Sequence, residues 1–319
     1  MNAQTLRRYL TPPLIALLLA IALFFAGGLI NPDFINVTQA INIVRLAAFL
    51  GIISAGQTLV IISGGEGIDL SVGAVVTLAA ILTFRITGGD NNLIGVGLLA
   101  SLSAGFIVGL LNGIGIALLH IPPLVMTLGM TGVVSGTILV VTQGEMLGAT
   151  PALMSTYIAK PLIFGIPGVI LIWVALGVVM WLLMERTTYG KHLFAIGVNR
   201  TAARLSGVRV ERAVIITYTL AGLLAALGGF MLLGFAQTVL LNLGDPYRFP
   251  SIAAVVVGGT MLTGGKGSYW GTMSGALVLT LIDSLLRAMG LAEAYQLIVF
   301  GGLLVLLIAV YGRELNLRQ

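Results

Sequence analysis

Long apolar runs fill most of this chain, and short polar stretches separate them. A helix needs about 20 apolar residues to cross a bilayer. Ten runs are candidates, two of them short. The runs cover Leu10–Ile30, Ile43–Ile62, Leu70–Ile86, Leu93–Leu119, Leu124–Val141, Ile166–Met184, Ala213–Phe235, Ser251–Leu262, Tyr269–Leu286 and Ala294–Tyr311. The pattern predicts an all-α polytopic membrane protein of about ten transmembrane helices, some short or broken by glycine, in one membrane domain over residues 1–319.

Composition supports a membrane protein and excludes several kinds of site. The 319 residues are 58% hydrophobic and only 8% charged, whereas soluble domains carry roughly 25% charged residues. There are no cysteines and only two histidines, which excludes disulfides, thiolate metal sites and histidine-rich metal sites. The first apolar run is too long for a typical signal peptide and is predicted to be the first membrane helix.

Basic residues predict the orientation. They cluster at Arg7 and Arg8, in the polar stretch Arg186–Arg212, and at Arg313 and Arg318. Ten crossings place all three clusters on one side, which the positive-inside rule identifies as the cytoplasm. Both termini are therefore expected to be cytoplasmic. The run Ser251–Leu262 is short, so it either spans the membrane or is re-entrant.

A glycine-rich break at Ser63–Ala74 carries two carboxylates near membrane depth. A carboxylate in lipid costs about 3 kcal/mol or more, so both are expected to face protein, water or a cavity. Asp69 is predicted to cap the following helix, and it could also contact a transported solute. The candidate path residues of this break are Gly65, Glu66, Asp69 and Ser71.

A second glycine-rich break lies at Ile252–Ala276. It is not a Walker A loop, because Thr260 and Gly267 stand where that motif needs glycine and serine or threonine. One broken segment in each half predicts a transport pathway between pseudo-repeats; close helix packing through small residues is the alternative. The candidate path residues here are Gly258, Gly259, Gly264, Gly265 and Lys266.

The polar stretch Arg186–Arg212 is predicted to contain a short surface helix. Asn199 is a good N-cap, and Gly207 is a good residue to follow the last turn. Arg200 and Arg204 are four residues apart, so they are expected to share a face and to meet acidic groups of a partner or lipid phosphates. An ordinary basic loop is the alternative.

Two further interpretations concern single side chains. Asp283 and Arg287, four residues apart, are expected to pair. Trp173, Trp181 and Tyr311 are expected to anchor helices at the membrane interface.

Four stretches together carry a resemblance to a known family. They are GIDLSVG (Gly67–Gly73), PPLVMTLGM (Pro122–Met130), YGKHLFAIGVNRTAARLSGVRV (Tyr189–Val210) and IAAVVVGGTMLTGGKGSYWGT (Ile252–Thr272). The chain resembles the permease subunits of the ribose, xylose, arabinose and galactose class of bacterial ABC importers, which are related to branched-chain amino acid permeases. It departs from their pattern at Ser63–Asp69, which is two residues longer, and at Val198–Arg200, which is more basic.

The resemblance implies an inner-membrane complex. Two permease chains, identical or different, form one path, two ATPase subunits dock beneath it, and a periplasmic binding protein delivers the solute. ATP and Mg are used by the ATPase, so this chain is expected to hold no cofactor, to have no catalytic site and to bind no nucleic acid. Within the coupling segment, residues 185–212, the family's coupling helix corresponds to Asn199, Arg200, Ala202, Ala203, Arg204, Leu205, Ser206 and Gly207.

The sequence thus predicts the membrane subunit of an ATP-driven importer for a small polar solute, with a monosaccharide preferred. Branched-chain amino acids, nucleosides or a sugar-like signal are alternative solutes. A self-contained secondary transporter is an alternative mechanism, with Glu66, Asp69 and Lys266 as its candidate coupling groups. A membrane enzyme is disfavoured, because side chains for acid–base chemistry are few.

Overall fold

The computed structural model describes residues 11–291 and, beyond them, 294–295, 298–299, 301–302 and 305. Most of the predicted helix Ala294–Tyr311 lies outside these residues, and so do the basic residues at both termini.

Between residues 11 and 291 the chain forms twelve α-helices and one short antiparallel hairpin. The helices are α1 (Pro12–Ile30), α2 (Val37–Ile62), α3 (Val72–Thr87), α4 (Ile94–Ala117), α5 (Pro123–Thr142), α6 (Ala152–Ile158), α7 (Gly168–Trp181), α8 (Thr188–Val198), α9 (Arg200–Leu205), α10 (Val210–Ala236), α11 (Arg248–Val257) and α12 (Tyr269–Ala288). The hairpin strands are β1 (Pro161–Ile163) and β2 (Ile166–Pro167). A π-helical turn, Leu182–Arg186, continues α7.

Seven helices of the described part are long and apolar enough to cross a membrane. They are α1, α2, α4, α5, α7 with its π-helical turn, α10 and α12. Helix α3 is apolar but has 16 residues, and α11 has 10 residues, or about 15 Å. The prediction of an all-α polytopic membrane protein is confirmed.

Local chemistry sets several helix ends. Helix α2 starts six residues earlier than predicted because Asn36 is its N-cap, with Oδ1 accepting the Gln39 amide at 2.7 Å. Helix α12 starts at the predicted residue, where the Ser268 hydroxyl accepts the Gly271 amide at 3.1 Å. The predicted pair also forms, because Arg287 Nε donates to Asp283 Oδ2 at 2.9 Å.

Helix α2 is the centre of the bundle, since every residue from Ala47 to Ile62 is buried. Trp173 packs directly on Gly51 and is 3% exposed. Interfacial anchoring was therefore wrong for Trp173, whose ring fills the space that a glycine on α2 leaves open. Trp181 lies at the end of α7, where its indole donates to Glu185 Oε2 at 2.8 Å.

Helices α4 and α10 approach each other through small residues. Gly105, Gly109 and Gly113 lie one turn apart on α4 and meet the backbone of α10. A Cβ on Gly113 would lie 2.7 Å from Ile215 Cα, and one on Gly109 would overlap the Tyr218 carbonyl. Close contact of this kind stabilises membrane helices through van der Waals packing, because lipid gives no hydrophobic driving force between them.

Candidate functional site

The predicted surface helix is present as α9. Asn199 Oδ1 accepts the Ala202 amide at 2.9 Å, and the helix ends at Leu205. Gly207 has φ +84° and lets the Val208 amide bond the Ala203 carbonyl at 3.0 Å. Asn199 and Gly207 therefore act at the two ends of α9 as the sequence predicted. The face of Ala203 is buried against the protein, which fixes α9 on the end of the bundle, called here the α9 end.

The outward face of α9 presents one large apolar side chain. Leu205 is 85% exposed, while its neighbour Arg204 forms an ion pair with Glu211 at the start of α10. Because the pair is exposed, its contribution to stability is small. Its effect is to hold Arg204 beside α10, so that Leu205 is the more available group for a partner.

Arg200 turns inward rather than outward. Its Nη2 donates to the Gly64 carbonyl at 3.2 Å, and its guanidinium lies where a side chain on Gly65 would be. The prediction that Arg200 and Arg204 share one exposed face was wrong. The reason lies in the glycine-rich break Ser63–Ala74. Gly65 has no side chain and leaves space for the guanidinium, and the Gly64 carbonyl accepts its hydrogen bond.

Four glycines from three distant stretches meet beneath α9. A Cβ on Gly197 would overlap both the Ile62 carbonyl and the Gly265 amide, and one on Gly264 would overlap Gly64. The Gly265 amide donates to the Ile62 carbonyl at 2.9 Å. We call Gly64, Gly197, Gly264 and Gly265 the glycine joint. Both glycine-rich breaks thus contact the end of α8, which leads directly into α9.

The predicted path residues lie in three separate groups. Gly65, Glu66, Gly264, Gly265 and Lys266 gather at the α9 end, and of these Gly65, Glu66 and Lys266 are exposed there.

The remaining glycines of the second break serve helix packing. Gly258 packs on the Gly271 carbonyl at the start of α12, and Gly259 packs on Pro12. For these two glycines the geometry matches the packing alternative.

Asp69 and Ser71 belong to a buried polar network inside the protein. Asp69 is 3% exposed, and its Oδ1 accepts the Ser71 amide at 2.9 Å and the Ser71 hydroxyl at 2.6 Å. Asn112 Nδ2 donates to the same hydroxyl at 3.0 Å, and Gln57 Nε2 donates to the Asp69 carbonyl at 2.9 Å. The network joins α2, α3 and α4.

The Asp69 side chain accepts a free amide as predicted, but Asp69 lies before the N-cap of α3 rather than at it. Helix α3 begins at Val72, and Ser71 is its N-cap. Asp69 stands two residues before the cap and bonds Ser71 in a local turn. A buried carboxylate needs such partners, because its charged form is otherwise costly away from water.

The chain after α10 returns into the middle of the bundle. Gly228 packs on Ile53, nine residues from the Ile62 end of α2, or about 14 Å along the helix. The next residue, Gly229, packs on Val76 of α3. Gly244, in the stretch after α10, packs on the same valine, because a Cβ there would lie 2.8 Å from Val76 Cβ.

A hydrogen bond holds Gly244 against α3. The Gly244 amide donates to Thr77 Oγ1 at 2.9 Å, although Thr77 is separated from it by more than half the chain. Gly229, which also packs on Val76, is seven residues before the end of α10, or about 10 Å along the helix. Residues 237–244 therefore run back about 10 Å alongside α10 before α11 begins. Helix α11 follows this segment and covers Arg248–Val257.

Comparisons with known proteins identify the family. Residues 39–308 match the family profile described as the permease component of branched-chain amino acid transport systems. The ribose import permease of Escherichia coli K12 is 33% identical over 98% of this chain and 100% of its own length. The fructose import permease of Rhizobium meliloti is 32% identical over 93% of this chain and 84% of its own length.

A third relative imports a different kind of molecule. The autoinducer 2 import system permease of Escherichia coli O157:H7 is 31% identical over 95% of this chain and 89% of its own length. No solved structure matches the chain. On the family profile and these relatives, the chain belongs to the family of permease components of branched-chain amino acid transport systems.

Proposed function

We propose that this chain is the membrane subunit of a bacterial ABC importer that carries a small polar solute, a monosaccharide above other classes, across the inner membrane. The observation that carries the proposal is the glycine joint, where the end of α8, directly before the surface helix α9, contacts both glycine-rich breaks. The ribose and fructose import permeases among its relatives support a sugar as the solute.

The proposed topology has ten crossings. Seven are the long helices, and α3 and the crossing that ends in α11 are two more. The run Ala294–Tyr311 supplies the tenth. The α9 end faces the cytoplasm, because the basic stretch Arg186–Arg212 is there. Both termini then lie in the cytoplasm as well.

The proposed complex contains two permease chains, two ATPase subunits and a periplasmic binding protein. The ATPase binds ATP and Mg and docks on α9, with Leu205 inserted into an apolar pocket of its surface. The exposure of Leu205 beside a paired Arg204 supports an apolar anchor over a purely electrostatic one. Movement of α9 then displaces the glycine joint, and the joint in turn displaces both glycine-rich breaks.

The direct test uses the chain with its partner subunits. We expect an ATPase subunit to copurify with it in mild detergent, and vesicles containing the complete system to take up ribose or fructose only when ATP is present. Uptake that continues in vesicles without an ATPase subunit would show a secondary transporter instead. ATP-dependent uptake of leucine, with no sugar uptake, would show an amino acid importer.

Leu205→Ala tests the docking anchor. We expect it to lower the amount of copurified ATPase by about tenfold, because one buried apolar anchor contributes on the order of 1–2 kcal/mol to an interface. The matched control is Leu29→Ala, since Leu29 is 90% exposed at the end of α1, which the proposed topology places on the opposite face. Equal copurification from both variants would remove Leu205 from the interface.

A further inference from the structure

We infer that residues 240–248, called here the mid-membrane segment, line the aqueous path and form a contact site for an uncharged polyhydroxylated solute. The inference rests on the proposed function, which it extends by naming the path. The proposed sidedness of the chain does not enter it, because the argument needs only depth, exposure and charge.

The first step is depth. Gly244 packs on Gly73 and Val76 of α3, and Val76 also contacts Gly229 of α10. Gly228 in turn lies against Ile53, about 14 Å from one end of α2. The hydrocarbon core of a bilayer is about 30 Å thick. The mid-membrane segment therefore lies close to the bilayer midplane.

The second step is exposure. Leu240 and Leu241 are 58% and 43% exposed, and Asn242 and Pro246 are exposed as well. Before α11 the segment has a turn at residues 241–244 and one 3-10 turn, Asp245–Tyr247, with short bonds such as Asp245 N to Asn242 O at 3.0 Å. Irregular backbone at membrane depth is tolerated where it is buried in protein or faces a water-filled cavity, but not against lipid. Exposure on this chain therefore indicates water or a second permease chain across the path.

The third step is charge. Asp245 has a side chain that is 50% exposed, and it forms an ion pair of 2.7 Å with Arg248 Nη2 at the start of α11. Ionisable groups at this depth face the bundle interior or a water-filled cavity rather than lipid. The two charged partners therefore stand on the water side of the segment.

The fourth step is the class of solute. The pair presents carboxylate oxygens as acceptors and guanidinium N–H groups as donors, while its net charge is zero. Sugar hydroxyl groups both donate and accept, so they match the pair without an unbalanced charge. An anionic or cationic solute would instead be repelled by one member of the pair and would compete for the other.

Cysteine labelling tests the inference, because the natural chain has no cysteine. The complex with Asn242→Cys, held in lipid nanodiscs that leave both faces open, is treated with a charged thiol reagent. Val133→Cys is the matched control, since Val133 is 62% exposed in the middle of α5. We expect Asn242→Cys to react at least about tenfold faster, because a thiolate forms in water and not in lipid. Equal, slow reaction of both variants would overturn the inference.

Two further measurements keep the outcome decisive. If Asn242→Cys does not assemble, Leu241→Cys takes its place under the same criterion. Saturating ribose or fructose is expected to slow the reaction at least about threefold, as bound solute covers the thiol. If leucine alone slows the labelling, or if ribose, fructose and leucine all leave it unchanged, the inferred class of solute is wrong. If Asn242→Cys reacts rapidly but the chain binds no ATPase, the proposed ABC importer is wrong, while the inference that residues 240–248 line an aqueous path still holds.

Discussion

Gly197→Ala is expected to abolish solute uptake while the ATPase still copurifies. A Cβ at this position overlaps the Ile62 carbonyl and the Gly265 amide, which are backbone groups that cannot rotate away. The overlap forces the two glycine-rich breaks apart at this point and costs about 1–3 kcal/mol. Leu205 and the rest of the outward face of α9 are unchanged, so docking is retained while the contact beneath it is lost.

The measurement is the number of solute molecules taken up for each ATP hydrolysed. We expect this ratio to fall by more than about tenfold, a change that corresponds to 1.4 kcal/mol or more. Gly132→Ala is the control, because a Cβ there meets nothing within 4 Å in the exposed part of α5. A normal ratio in Gly197→Ala would show that the glycine joint does not transmit movement.

Gly109→Leu is expected to have the largest effect on stability. Gly109 lies where α4 crosses α10, and even a Cβ overlaps the Tyr218 carbonyl and lies 2.9 Å from Thr219 Cα. A leucine must therefore push the helices apart along their whole glycine face. Loss of that contact removes van der Waals packing for which lipid supplies no substitute. We expect a loss of about 3 kcal/mol or more.

Size-exclusion chromatography and thermal unfolding in detergent measure this effect. Gly136→Leu is the control, since Gly136 is also helical and a Cβ there meets nothing within 4 Å. The control is expected to remain monodisperse with a midpoint close to that of the natural chain. A Gly109→Leu variant as stable as the control would show that α4 and α10 can separate without cost.

Hydropathy and end signals predicted the helices well, because both are local properties. The run Tyr269–Leu286 became α12 with the same first residue, and Asn199 and Gly207 bounded α9. A capping side chain acts within three residues of its target, so the sequence contains the whole interaction. The same holds for Asp283 and Arg287, which meet across one helical turn.

Depth in the bundle could not be predicted in this way. The stretch Ala236–Pro250 is polar enough for an outer loop, yet Gly244 is held on Thr77 and Val76 near the middle of the bundle. That position depends on a contact between residues 167 apart, which a local pattern does not contain. The weak signal was the run Gly244-Asp245-Pro246, a turn directly before a helix of only ten residues.

The glycine-rich breaks were located correctly, but their contacts were not foreseen. A glycine in the sequence does not show which backbone approaches it, so the convergence on Gly197 needed the structure. Arg200 shows the same limit. Its direction depends on the Gly64 carbonyl, 136 residues away.

The two caps of α9 have a consequence for the speed of transport. Asn199 and Gly207 hold the helix folded on the permease itself, so its conformational entropy is lost once, when the protein folds. A segment that became ordered only on docking would lose that entropy again in every turnover. In the proposed complex, preorganisation therefore lets the ATPase release and rebind α9 repeatedly with little change in internal order. The turnover rate then need not include a folding step.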